Sequence, residues 1–157
     1  MTLGDADKLI TAGLLWLPER FDTPQARAML MAIGLQESRF MHRRQIGGPA
    51  NGYWQFELGG GVRGVMTHPA TGGIAREVLT RLDYPVTVEA AYNALPDNDA
   101  LALVFARLLL FTVPSALPES SGDGWKQYLW AWRPGKPHAN TWPGYFERAR
   151  RFYELDA

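Results

Sequence analysis

Apolar positions recur at helical spacing over most of the chain. Leu9, Ile10, Gly13, Leu14, Trp16 and Leu17 form a stripe of period 3.6, with Asp5 placed to cap it. The run "FDTPQARAMLMAIGLQES" predicts a second helix, capped by Thr23 and opened by Pro24 at its first position. Ala26, Leu30, Ile33, Gly34 and Glu37 share one face of it, and Met29, Met31, Ala32 and Leu35 make the rest apolar. A helix greasy all round belongs in the core, yet this one ends on a carboxylate.

The pattern breaks between residues 41 and 66. There "IGGPANG" and "LGGGVRG" bracket the aromatic run "YWQFE", which predicts a small β-hairpin or an ordered irregular lobe. Helical periodicity then resumes. "TGGIAREVLTRL" places Ile74, Val78 and Leu82 on one side, and "TVEAAYNAL" follows a Thr87 cap. "DNDALALVFARLLLFTV" reads as a second core helix after an Asp/Asn cap, and "VPSALPESSGDG" as a surface loop. "WKQYLWAW" reads as a short aromatic helix stopped by "RPGKP". The last helix sets Trp142, Tyr145, Ala149 and Phe152 at helical spacing. No repeat or linker divides the chain. The expected fold is one mainly α (α+β) domain over residues 1–157, with its small lobe at about 41–66.

Composition narrows the function classes. At 157 residues with 46% hydrophobic and 20% charged, the chain can bury a sizeable core. Lys plus Arg equals Asp plus Glu at 16 each, so the basic footprint of a nucleic-acid binder is missing. With no cysteine, disulfides and thiolate metal sites are excluded. Asp5, Asp7 and Lys8 stand where a signal peptide would be basic and then greasy, so no signal peptide is read. The longest apolar run, Ala100 to Val113, carries Arg107 and falls short of the ~20 residues that span a bilayer. A soluble protein made in a cytoplasm, without membrane insertion and monomeric, is expected.

Glu37 is the first candidate for chemistry. Apolar neighbours, the negative end of its helix and any nearby carboxylate would each raise its pKa, as a general acid at neutral pH requires. The plain alternative is a solvated residue at a frayed helix end. Ser38 and His42 lack the Gly-x-Ser-x-Gly elbow and an orienting Asp, so a serine hydrolase is not indicated. His42, His68 and His138 show no metal spacing, and "GGPANG" lacks the ending of a phosphate loop.

Three segments carry a family resemblance. Glu37-Ser38-Arg39-Phe40, then Gly52-Tyr53-Trp54-Gln55, then Ala90 to Leu95 ("AAYNAL", with leucine where glycine is expected) resemble, in order, segments of lytic transglycosylases and goose-type lysozymes. The resemblance covers about residues 30 to 95; "WRPGKP" and the aromatic tail match nothing in it. It implies a lysozyme-like fold, with Glu37 as the acid on a cleft wall and Gln55, Tyr92 and Asn93 orienting the sugar. It implies cleavage of the β-1,4 bond between N-acetylmuramic acid and N-acetylglucosamine in bacterial peptidoglycan, with no cofactor or metal. It also implies a bacteriophage lysin, held in the host cytoplasm before release or carried in the virion.

Glycosidases of the hydrolytic kind use a second carboxyl, ~5 Å away in retaining enzymes and ~6.5–9.5 Å in inverting ones. Lytic transglycosylases use one Glu and close an anhydro ring with the sugar's own hydroxyl. Glu57 is the tentative second carboxylate, because residues 55 and 57 of a strand face one way. The alternative pairs it with Arg63, Arg43 or Arg44. Tyr53, Trp54, Phe56 and Tyr92 could stack on sugars, although at least two of the four are expected only to pack. Ser38 could touch the sugar or merely bond backbone. The tryptophans after residue 124 are expected to pack the C-terminal region. The rival functions are a non-enzymatic phage structural or assembly protein of the same fold, and a chitinase- or chitosanase-like glycosidase.

Overall fold

The computed structural model describes residues 1–155. Its eight α-helices, among the described residues, are α1 (Leu3–Leu14), α2 (Pro24–Ser38), α3 (Arg63–Thr67), α4 (Gly72–Arg81), α5 (Val88–Ala94), α6 (Asp99–Phe111), α7 (Ser121–Trp132) and α8 (Trp142–Phe152). Local chemistry accounts for their starts. Thr23, Thr87, Asn98 and Ser120 each accept a hydrogen bond from the backbone N–H three residues on, filling an orphan donor of the first turn. At α1 the cap is Thr2, not Asp5. Asp5 is its reciprocal partner, bonding back to the Thr2 N–H. Helix α7 begins at Ser121, inside the segment expected to be loop, because Ser120 caps it there.

Two helices are apolar all round and form the centre. Every residue of α6 from Leu101 to Leu110 is buried, including Arg107, whose Nε donates to the Phe21 carbonyl. In α2, Ala28 to Leu35 are all buried. Helix α8 lies along α2 and α1 along α6. One apolar cluster runs through these helices from Ala6 to Ala149. In α8 the buried face is Trp142, Phe146 and Ala149, while Phe152 is 39% exposed, so the expected stripe is rotated toward Phe146. No described helix is long and apolar enough to cross a membrane.

The expected hairpin is absent: among the described residues there is no strand. Residues 41–57 form the irregular lobe instead, with two isolated antiparallel bridges, Arg44 to Asn51 and Asn51 to Phe56. The chain reverses too often to extend. Arg39, Phe40 and Gln55 take positive φ, as do Gly47 and Gly52. Gly52 takes a φ of 79°, which favours glycine, and a Cβ there would come within 3.3 Å of Ala102 and 3.4 Å of Leu95. The second glycine-rich stretch is helical rather than lobe. Leu58–Val62 makes a wide π-type turn into α3, drawn inward by buried Val62, Val65 and Met66.

Candidate active site

The C-terminal end of α2 delivers Glu37 to the wall of an open cavity of about 570 Å³. Three parts of the chain enclose it. Gln36 and Glu37 come from α2, Gln55 and Glu57 from the lobe, and Tyr128, Trp132 and the segment Arg133 to His138 from α7 and its exit. Glu37 is half-buried, and the Tyr128 hydroxyl donates to its Oε1 at 2.6 Å. Burial pushes its pKa up to about 7; the Tyr128 hydrogen bond opposes that rise, and the negative charge of Glu57 adds to it. Glu37 is therefore a carboxyl whose proton is held to well above the usual carboxylate range, facing an open cavity of about 570 Å³.

Tyr128 is held stiffly. Its ring stacks on Trp142 with centroids 5.3 Å apart and planes 12° off parallel, and on Trp132 with centroids 6.3 Å apart. The same burial and the Glu37 charge raise the Tyr128 pKa, so it stays a donor. Sequence reasoning assigned this helix to packing and missed its hydroxyl. The available signal was Trp125, Tyr128 and Trp132 on one face, a polar atom within an aromatic stripe.

The three resembling segments meet in space. Ser38 Oγ donates to the Tyr53 carbonyl at 2.7 Å, and Asn51 Nδ2 donates to the Tyr92 carbonyl at 3.1 Å. The Tyr92 hydroxyl in turn donates to the Pro49 carbonyl. Several expected sugar contacts thereby become scaffold. Ser38 is buried and its hydroxyl also accepts from the Phe40 N–H, so it ties α2 to the lobe rather than facing the cleft. Tyr53 is buried beside Phe40 with the Arg43 guanidinium over its ring. Trp54 is fully buried, its indole N–H bonded to the Leu30 carbonyl. Phe56 packs edge-on to Phe105 and Trp132. Neither Tyr92 nor the exposed Asn93 lines the cavity that holds Glu37.

Gln55 and Glu57 do line it, but not because a strand aligns them. Gln55 sits in a left-handed turn with φ of 55°, its amide bonded to the Gly52 carbonyl at 2.9 Å. Glu57 is exposed, and none of the three arginines offered as partners pairs with it. Arg43 holds Asp99 at 2.9 Å, Arg44 lies 3.9 Å from Asp97, and no ion pair reaches Glu57 among the described residues.

Fold and site together define a mainly helical protein with a buried-end carboxyl acid in an open cleft. Comparison with protein-family models, with curated proteins and with solved structures found no match.

Proposed function

We propose that this chain is a lysozyme-like, peptidoglycan-degrading enzyme that cleaves the β-1,4 bond between N-acetylmuramic acid and N-acetylglucosamine. The observation that carries the reading is Glu37: a carboxyl with its pKa near 7, bonded to Tyr128, on the wall of a sugar-sized cavity. Breaking a glycosidic bond requires protonating the leaving oxygen, and a carboxyl protonated near neutrality does that. The convergence of the three resembling segments on one another supports the same reading.

In this mechanism Glu37 gives its proton to the glycosidic oxygen as the bond to the muramyl carbon breaks. Ionised Glu37, steadied by the Tyr128 hydroxyl, then takes a proton from the incoming nucleophile. That nucleophile is water, with Glu57 as its positioning carboxylate, or the muramyl 6-hydroxyl closing an anhydro ring. Gln55, its Nε2 held by the Gly52 carbonyl, has its Oε1 to accept a hydrogen bond from a sugar hydroxyl. Mass spectrometry of the released muropeptides separates the two routes, since an anhydro end is one water lighter than a reducing end. By the resemblance alone, the setting is a bacteriophage lysin acting from the host cytoplasm or from the virion.

The decisive test is loss of turbidity of permeabilised Gram-negative cells. Wild type should clear them and Glu37→Gln should not. Clearing by neither, at high protein concentration, would favour the non-enzymatic structural reading. Preference for chitin or chitosan over peptidoglycan would favour the other glycosidase class.

A further inference from the structure

The segment between α7 and α8, matched by nothing in the resembling family, forms a whole wall of the cleft. Arg133, Lys136 and His138 all line the Glu37 cavity. The segment is fixed at both ends. At one end the Trp132 indole N–H donates to the Trp54 carbonyl at 3.0 Å. At the other, Gln36 Nε2 donates to the His138 carbonyl at 3.0 Å, and Thr141 Oγ1 donates to Gln36 Oε1 at 2.9 Å. Pro134 and Pro137 flank the middle and restrict its backbone. Two cations are thus presented on a strap tied down at both ends, which lowers the cost of ordering it on binding.

Among the described residues these cations serve no carboxylate. Neither Arg133 nor Lys136 is in an ion pair among the described residues; Arg133 makes one long bond, 3.4 Å, from its Nε to the Trp130 carbonyl. They do not hold Glu37 ionised either, since a cation close to it would lower its pKa, and the influences on Glu37 are burial, Tyr128 and Glu57. Beside the main cavity lies a second of about 460 Å³, and Glu57, Trp132 and Arg133 line both. Arg133 thus borders both cavities, while Lys136 borders the main one alone. A ligand in the main cavity with a branch along this wall passes two cations without an ion pair among the described residues, and chemistry that suits them there is anionic.

We propose that Arg133 and Lys136 bind carboxylates of the peptide that branches from the muramyl sugar, so that the strap selects peptide-bearing glycan over neutral glycan. This rests on the peptidoglycan reading above. The test is binding to a Glu37→Gln protein, followed by tryptophan fluorescence. One probe is a peptidoglycan tetrasaccharide bearing its peptides, and the other is the same molecule with the peptide carboxylates amidated. The charged probe should bind about fivefold tighter, as expected for two solvent-exposed ion pairs. Adding Arg133→Gln and Lys136→Gln, or raising salt to about 1 M, should erase that preference. Lys136→Arg should keep it.

An unchanged preference in the double variant, or none in the parent, overturns the assignment. Clearing of cells by wild type separates the two ideas. Clearing without charge preference leaves the enzyme reading standing and removes the strap's role. Charge-dependent binding without clearing keeps the ligand and removes the cleavage.

Discussion

Glu37 and Glu57 look into one cavity from two kinds of structure. Glu37 ends a helix whose residues from Ala28 to Leu35 are all buried, so water is thin around it and its pKa climbs to about 7. Glu57 ends an irregular lobe and stands exposed. The same side chain holds its proton to higher pH at the buried helix end and stands in open solvent at the lobe. What sets the difference is the burial of the supporting element, not the spacing between carboxylates.

The strongest way to break that contrast is Glu37→Gln. It should lower the rate of muropeptide release by about 10³-fold, as loss of a general acid does. Glu57→Gln should cost far less; a loss beyond about a hundredfold would make Glu57 a second catalytic group.

Stability carries the same contrast. Folded Glu37 keeps its proton up to about pH 7, whereas the unfolded chain gives it up near 4.5. Between those values the folded state binds more protons, so stability falls as pH rises and levels off above 7. Discounted for partial exposure, the drop is about 2 kcal/mol. Denaturant unfolding across that range should show it in wild type, and Glu37→Gln should lack it.

Tyr128→Phe sharpens the comparison by removing the one contact that favours ionised Glu37. The pKa of Glu37 should rise further, moving the alkaline limb of the pH–rate profile to higher pH. The rate should fall about tenfold, because the carboxylate loses its donor in the second step. The smallest effect is expected from the charge of Glu57 on Glu37. Glu57→Gln should move the same limb the opposite way, toward acid, because a like charge is gone.

Much of the fold was legible because it depends on local pattern. Thr23 with Pro24, the stripe through Ile10 and Leu14, and the all-apolar α6 announce helices that the structure contains. The lobe was legible only as a break in pattern. Its glycines and aromatics fit a hairpin equally well, and positive φ at Gln55 and Phe40, which are not glycines, is imposed by packing. In the site, Glu37 was visible as a carboxylate at the end of a greasy helix, but a solvated helix end fitted that place too, and its burial comes from the tertiary structure. Tyr128 was not visible, since it lies 91 residues away and reaches Glu37 only when α7 packs against α8, which itself lies along α2. For Ser38 and Tyr53 the sequence left a sugar contact and a scaffold role both open, for the converse reason. Motif residues beside a catalytic group can serve the scaffold, and only the hydrogen bond between them reveals it.

The sequence by itself determined the helices, the central place of α2 and the carboxylate at its tip, because amphipathic period and capping act over a few residues. Tertiary structure alone decided which groups surround that carboxylate. The hydroxyl that supports it, the charge that perturbs it and the basic strap across from it come from distant segments. Their meeting depends on how the helices bury their apolar faces, which no local pattern encodes.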